Sequence, residues 1–339
     1  MNVIGGILAG GYGKRLLPLT KDYPKQLIEL KENYTILDKQ LNDLRFADIK
    51  NVYLMVGYLH EKIIERFGNK WKDLNLTYLI EEKPQGTLYA IKNALEYANS
   101  DMLIMNGDII CDFNLKKMIE VSRKRKELIT IAITKMPSPY GIVVIEDNKI
   151  VNFIEKPLLP HYINAGIYYI KKEAMDLFKR EYSLTDVERT VFPKAAVEGE
   201  LAYYTEESFW HSIDSIKDVE FIREFYKNRE DKPWGWERIL VNNEKYLVKE
   251  LYIKAGYRTS IHYHKERDET LNVIKGLGYI EFFDEKLNLI KREILTNNSI
   301  VRIKPNTIHS IGAEENLLLQ EYSTPYPNDV VRLKDFYLR

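Results

Sequence analysis

Two groups of residues in this 339-residue chain have the types and the spacing to do chemistry. The first is Leu8-Ala9-Gly10-Gly11-Tyr12-Gly13-Lys14-Arg15-Leu16-Leu17-Pro18, at the end of an apolar run. Gly10, Gly11 and Gly13 let the backbone turn tightly and present its N–H groups to an anion. Lys14 and Arg15 add positive charge, and a helical turn after them would aim its positive end at the same place. Pro24-Lys25 brings a further cation. The chemistry is phosphate binding, and the plain alternative is a glycine turn with surface bases. No Ser or Thr follows Gly13-Lys14, so the segment is not a P-loop, nor is it a clean dinucleotide fingerprint.

The second group is Gly256, His262-Tyr263-His264, Glu269 and Gly276, followed by Pro305-Asn306-Thr307-Ile308-His309. Histidines at i and i+2 of a strand face the same side. Glu269 can arrive from the next strand. Three imidazoles and a carboxylate can close on one divalent transition metal and leave positions open for a ligand. Each histidine alone reads as an ordinary core or surface residue; the four together do not.

Different elements must position the two groups. Over residues 1–225, apolar runs at 3–9, 51–57, 76–80, 101–105, 128–134, 142–145 and 163–170 read as strands. Helical periodicity lies between the early ones, at 37–47, 61–71 and 86–98. Strand–helix alternation predicts a mostly parallel sheet covered on both faces, with ligands beyond the carboxyl ends of its strands. A last helix is expected over 216–229, and Asp231-Lys232-Pro233 reads as a linker. From 245 onward, short runs at 246–255, 270–274, 279–283, 300–303 and 317–322, with no long helical pattern between them, predict an all-β sandwich or barrel. The expected domains are 1–228 and 229–339.

Composition narrows the function classes. Lys and Arg number 50 and Asp and Glu number 50, so the chain is no polycation and nucleic acid is not an expected partner. No run of 18 apolar residues predicts a membrane span. The start, Met1-Asn2-Val3-Ile4-Gly5-Gly6, lacks the pattern of a signal peptide. Cys111 is the single cysteine, so no intrachain disulfide forms, which fits a reducing compartment, and a cytoplasmic location is expected.

The glycine loop, with Arg15, Pro18-Leu19-Thr20 and Pro24-Lys25, resembles the signature of nucleotidyltransferases that make nucleoside-diphosphate sugars. The match continues in order through Glu82-Lys83-Pro84-Gln85-Gly86-Thr87, Asn106-Gly107-Asp108, Tyr140-Gly141, Glu155-Lys156-Pro157 and Asn164-Ala165-Gly166. The resemblance implies a Rossmann-like α/β domain with a mostly parallel mixed sheet. It implies an NTP and a sugar-1-phosphate as substrates, with NDP-sugar and pyrophosphate as products. Leu8, Ala9, Gly10, Gly11, Gly13, Lys14, Gln85 and Gly86 are then nucleotide contacts, and Tyr140, Gly141, Glu155, Lys156, Asn164 and Gly166 sugar-phosphate contacts. Arg15, Lys25, Asp108 and Asp214 are the catalytic set, with Asp108 and Asp214 holding Mg²⁺. The usual Trp-x-Asp pattern is altered here to Trp210-His211-Ser212-Ile213-Asp214, an ending similar to that of sugar cytidylyltransferases. Lys14 stands where that family often has Thr.

The histidine group resembles a cupin, a jelly-roll fold, with His262, His264, Glu269 and His309 as ligands of Zn, Fe, Mn or Ni. Lys304 and Asn306 depart from the second cupin motif. Lys232-Pro233-Trp234-Gly235 resembles the start of the cupin in bifunctional mannose-1-phosphate guanylyltransferase/mannose-6-phosphate isomerases. The leading expectation is therefore GTP with a manno- or heptose-1-phosphate, in nucleotide-sugar and polysaccharide biosynthesis, with a cupin that isomerises or binds a related sugar. The alternative is CTP- or UTP-dependent activation of another sugar or non-sugar phosphate, with the cupin as a sensor or dimerisation module. Lys249, Arg258, Lys265 and Arg302 are candidates for a basic cluster facing the cupin metal. A homodimer is expected, with the cupin as its candidate contact.

Overall fold

The computed structural model describes residues 3–337. Met1, Asn2, Leu338 and Arg339, at the outer ends of the two expected domains and of the leader reading, lie outside the described residues. By contact the chain divides into Met1–Val219 and Glu220–Arg339. The division falls inside the helix Ile216–Tyr226, ahead of the expected boundary at 228/229.

The first unit is built on an eight-stranded mixed sheet. Its order is Leu201–Tyr204, Ile129–Thr134, Ile163–Ile170, Met102–Asn106, Ile4–Ala9, Asn51–Val56, Leu74–Ile80 and Lys70–Trp71. The central strand Ile4–Ala9 pairs in parallel with both neighbours, while Ile163–Ile170 runs antiparallel to the strands on either side of it. Strands buried on both faces read as unbroken apolar runs, which is why 3–9, 101–105 and 128–134 were legible. The helix Ile36–Phe46 covers one face with Leu37, Leu41 and Leu44. It starts on a capping box in which the Thr35 side chain accepts from the Asp38 N–H. The helix Thr87–Ala98 covers the other face with Leu88, Ile91, Ala94 and Leu95. The expected helix at 61–71 is cut to His60–Phe67, because Gly68 ends it and Lys70–Trp71 turns back as an edge strand.

The second unit is two antiparallel sheets packed face to face. One has six strands, in the order Arg229–Lys232, Gly235–Asn242, Leu247–Ile253, Leu317–Ser323, Glu269–Lys275 and Ile300–Ile303. The other has five, Leu289–Leu295, Gly278–Phe283, His309–Ala313, Ile261–Tyr263 and Val331–Lys334. Leu251, Ile253, Leu271, Val273, Leu317 and Leu319 from the first sheet meet Ile280, Leu295, Ile311 and Ala313 from the second. This is the sandwich expected of a cupin.

Two expectations at the junction of the sequence are corrected. The last helix stops at Tyr226, and Asp231-Lys232 is not a linker but the end of strand Arg229–Lys232, paired with Gly235–Arg238 across a turn at Pro233-Trp234. The cause is Arg229, which is 2% exposed. Its guanidinium lies 4.6–4.8 Å from the Phe225, Tyr226 and Trp236 rings. Nε and Nη2 donate to Asp231 Oδ1 at 3.0 and 2.8 Å. A cation boxed by rings and paired with a carboxylate fixes a segment that polar composition alone marks as loose.

Candidate active site and metal centre

In the first unit the loops beyond the carboxyl ends of Ile4–Ala9 and Met102–Asn106 enclose a cleft of about 460 Å³. Leu8, Gly10, Gly11, Gly13, Lys14, Arg15, Lys25, Gly86 and Asp108 all line it. Gly13 has φ 61°, a left-handed conformation that disfavours a side chain, and Thr20 Oγ1 donates to its carbonyl at 2.8 Å. The expected helical turn is a single 3₁₀ turn, Lys14–Leu16, so the anion-facing N–H groups here are those of the loop rather than of a long helix. A Cβ on Gly107 would sit 2.2 Å from the Leu8 carbonyl oxygen, so only glycine lets Asp108 approach the loop this closely.

A short ribbon brings the two expected metal carboxylates together. Strand Ile109–Cys111 pairs antiparallel with Trp210–Ser212, and the Ile213 N–H donates to the Asp108 carbonyl at 2.8 Å. Asp108 and Asp214 therefore leave the ribbon at the same end. Lys25, 9% exposed, lies between them, with Nζ 3.1 Å from Asp108 Oδ2 and 3.8 Å from Asp214 Oδ1. Arg15 Nη2 is 3.1 Å from Asp214 Oδ1. All four expected catalytic residues thus meet at one rim. Ser212 occupies the place of the usual family aspartate, and its Oγ donates to Asp214 Oδ2 at 2.5 Å. His211 is turned away to Asp218, 3.1 Å off. Burial pushes the Asp218 carboxyl up, but hydrogen bonds from Ser215, the Asp214 N–H and His211 outweigh it and hold that group below the usual range.

Other expected contacts are placed differently. Ala9 is fully buried in the core, and Gln85 is exposed; neither lines the cleft. Asn164 and Gly166 sit at an irregularity in strand Ile163–Ile170, where Asn164 Oδ1 accepts the Gly166 N–H at 2.8 Å and Gly166 packs on Asn106, a residue of the cleft. Tyr140, Gly141, Glu155 and Lys156 lie at the foot of an exposed hairpin, Ile142–Glu146 with Lys149–Ile154, outside the cleft lining. Glu81, which the sequence reading passed over, lines the cleft. Its Oε1 is buried without a hydrogen-bond partner, and burial raises its carboxyl against a lowering hydrogen bond from the Gln85 N–H. The available signal was its position just past the carboxyl end of strand Leu74–Ile80 in a parallel sheet.

In the second unit His262, His264 and His309 place ligand atoms within 4.8 Å of one another. His262 and His309 are direct neighbours across two strands of one sheet, and Glu269 arrives from the other. Glu269 Oε1 is 3.2 Å from His309 Nε2, and Oε2 is 3.6 Å from His264 Nε2. Each Nδ1 lies against a backbone carbonyl: Ser260 at 2.8 Å, Thr307 at 3.0 Å, and Asp329 for His264. A carbonyl only accepts, so each Nδ1 carries the proton and each Nε2 keeps its lone pair. This is the orientation that metal-binding imidazoles need, and the buried His309 Nε2 has no hydrogen-bond partner. Burial keeps His262 well below the ordinary histidine range and His264 at about 4, so both are neutral at pH 7. The donor set fits a divalent transition metal. His309→Ala is expected to reduce bound metal to below about a tenth of an equivalent by elemental analysis; retention of a full equivalent would exclude this site.

The cavity around these residues measures about 90 Å³. Of the four expected cations only Lys249 lines it; Lys232, Arg267 and Arg332 do so instead. Arg258 pairs with Glu281 at 2.6 Å, Arg302 pairs with Asp268 at 2.6 Å, and Lys265 is exposed. Arg267 Nη2 lies 2.7 Å from His264 Nε2 and Nη1 is 3.1 Å from Glu321 Oε1.

Such a cleft, with a glycine loop, a buried lysine and facing carboxylates at the end of an α/β sheet, defines a protein that binds a phosphorylated ligand for group transfer. The chain belongs to the nucleotidyl transferase family, whose profile matches residues 4–229. A second profile, mannose-6-phosphate isomerase C-terminal, matches residues 222–333. Mannose-1-phosphate guanyltransferase of Yarrowia lipolytica is 35% identical over 226 residues, 63% of this chain and 61% of that protein. The Saccharomyces cerevisiae enzyme of the same name is 34% identical, covering 63% and 62%. The matched segment thus spans about three fifths of these relatives. HddC from Yersinia pseudotuberculosis superposes with a TM-score of 0.54 at 25% identity, covering 66% of this chain and all of that one. Among the described residues no helix is long and apolar enough to cross a membrane.

Proposed function

We propose that the first unit transfers a nucleotidyl group from GTP to a manno- or heptose-1-phosphate, releasing pyrophosphate. The observation that carries this reading is Lys25 held between Asp108 and Asp214 at the rim of the glycine-loop cleft. In the reaction a sugar-phosphate oxygen attacks the α-phosphorus and pyrophosphate departs in line, so the protein's work is positioning and charge stabilisation. The N–H groups of Gly10–Gly13, with Lys14 and Arg15, hold the β- and γ-phosphates. Lys25 stabilises the α-phosphate as charge builds on it. Asp108 and Asp214 are hard oxygen donors suited to Mg²⁺, which would neutralise the reacting phosphates. Lys156 meets the sugar phosphate and Glu155 accepts from sugar hydroxyls, beside Tyr140, Gly141, Asn164 and Gly166.

Glu81 supports guanine. A carboxylate accepts from both the N1–H and the amino group of guanine, whereas uracil and thymine offer one N–H between two carbonyl oxygens. The two curated guanyltransferases point the same way. A matrix of NTPs against sugar-1-phosphates, scored by pyrophosphate release, tests the reading: GTP with mannose-1-phosphate is expected to lead, and a preference for UTP or CTP would overturn the base assignment. Glu81→Gln is expected to lower kcat/KM for GTP on the order of 10²-fold, the worth of two charge-assisted hydrogen bonds, and to narrow the gap to UTP.

For the second unit, the cations Lys232, Lys249, Arg267 and Arg332 around the histidines favour a phosphorylated sugar as ligand. His262, His264, His309 and Glu269 would hold Zn, Fe, Mn or Ni, which supplies Lewis-acid polarisation of a bound oxygen. Ligand pockets begin at roughly 300 Å³, so a whole hexose phosphate enters only if Arg267 leaves His264. Interconversion of mannose-6-phosphate and fructose-6-phosphate by the metal-loaded chain tests isomerisation; binding without turnover assigns this unit a sensing role.

A further inference from the structure

The helix Ile36–Phe46 packs Leu37, Leu41 and Leu44 into the core, and on an ordinary surface helix its polar residues would meet water. Here Lys39, Gln40 and Asp43 are buried as well, at 2, 0 and 7% exposure. Lys39 and Gln40 reach the segment that carries Asp108. Strand Met102–Asn106 lies in the eight-stranded sheet and Ile109–Cys111 in the two-stranded ribbon, so the chain changes sheets across Gly107-Asp108. Buried backbone carbonyls at such a change need donors from elsewhere. Gln40 Nε2 donates to the Asn106 carbonyl at 2.8 Å and to the Ile109 carbonyl at 3.1 Å. One amide thus ties the chain on both sides of Asp108. Lys39 Nζ donates to the Cys111 carbonyl at 2.9 Å, with Asp43 Oδ1 at 2.5 Å and Asp112 Oδ1 at 3.7 Å balancing its charge. Gln40 Oε1 is buried without a hydrogen-bond partner, which destabilises a fold. Packing alone would be served better by an apolar side chain of the same length. What the amide adds is its two N–H donors.

We infer that Gln40 is a positioning residue for nucleotidyl transfer: it fixes the backbone on both sides of Asp108 and so holds that carboxylate beside Lys25 at the rim of the cleft. The inference rests on the role given to Asp108 in the proposed function. Gln40 itself is fully buried and outside the cleft lining, so it acts only through Asp108. Lys39 supports the same segment, but its loss would strip two buried carboxylates of a shared cation and endanger the fold, so the test falls on Gln40. Gln40→Met keeps the side-chain length and removes both donors. It is expected to lower kcat for pyrophosphate release roughly tenfold, within the cost of misplacing a reacting group by a fraction of an ångström. The Mg²⁺ concentration at half-maximal rate is expected to rise about fivefold, while KM for GTP at saturating Mg²⁺ stays within about twofold of wild type. Amide hydrogen exchange of the metal-free, nucleotide-free chain reads the same loosening without turnover. Protection at Gly107 and Ile213 is expected to fall on the order of tenfold, with strand Asn51–Val56 unchanged, a local effect that general destabilisation would not give. Should Gln40→Met fail to fold, Gln40→Asn, which keeps the amide but is too short to span both carbonyls, is expected to show the same changes in weaker form. A folded variant whose kcat and Mg²⁺ dependence stay within about twofold of wild type would overturn the inference, as would exchange that loosens equally throughout the sheet. A wild-type chain inactive with every NTP and sugar phosphate would overturn the proposed function and this inference with it, and is told apart from a failure of Gln40 alone because it needs no variant.

Discussion

Asp108→Asn is expected to lower pyrophosphate release by about 10³-fold or more. The substitution keeps size and shape, so the ribbon that carries it should survive. The Asp108 carbonyl still accepts the Ile213 N–H, and Gly107 still packs on Leu8. What is lost is one of the two negative charges beside Lys25. An amide is a poor ligand for a hard divalent cation, and losing an electrostatic partner at the reacting phosphates typically costs 10²–10³-fold for a single donor and more where a metal depends on it. Asp214→Asn is expected to cost less, because Asp214 is shared with Arg15 and Ser212 and is partly satisfied by them. The measurement is continuous pyrophosphate detection over a Mg²⁺ titration. A rate within about threefold of wild type at any Mg²⁺ concentration would remove Asp108 from the site.

Much of this site could be read from the chain because the glycine loop, Pro24-Lys25 and Asn106-Gly107-Asp108 follow one another in the order of a family pattern; the glycines alone read equally well as a turn with surface bases. The pairing of its two carboxylates could not. Strands Ile109–Cys111 and Trp210–Ser212 are three residues each, too short to show a period, and they meet across about a hundred positions of sequence. The displaced aspartate was recoverable only through the family pattern. Its explanation, Ser212 holding Asp214, needed coordinates. The apolar runs gave the sheet correctly but said nothing about cover. Run 142–145 reads like run 128–134, yet Ile129–Thr134 is largely buried within the sheet and Ile142–Glu146 is bare on both faces. Periodicity reports that a strand wants burial, not whether the same chain supplies it. Arg229 shows the converse: a charged stretch taken for a linker is a strand because one guanidinium is boxed by three rings.

The metal-free β unit is expected to lose stability in mild acid, in two steps set by different groups. His264 titrates near 4 in the fold because burial opposes its charge, with Arg267 adding to that and Glu269 opposing it. An unfolded histidine titrates near 6.5. As pH falls from 6.5 toward 4 the unfolded chain takes up the proton first, so stability present above 6.5 is progressively lost. The loss amounts to about 3 kcal/mol for this one group. His262, lowered further by burial and by His309, acts in the same direction. Glu269 is pushed up by burial, but His309, His264 and Arg267 overcome this and hold it at about 2. Its contribution stays intact down to about 4.5 and disappears only below that. Glu321 opposes the trend, since burial and the Glu269 charge raise it, and its protonation relieves strain as the pH falls. Metal that binds only neutral imidazoles adds stability at pH 7 and is released over the same range. Hydrogen exchange in EDTA, followed at strands Leu247–Ile253 and Leu317–Ser323 and corrected for intrinsic rates, should show protection falling on the order of 10²-fold between pH 6.5 and 4.5. His264→Asn should flatten that slope. Protection that stays level across the interval would mean that the buried histidines are already charged in the fold, and the arrangement of three imidazoles with the proton on Nδ1 and a lone pair on Nε2 would then be untenable.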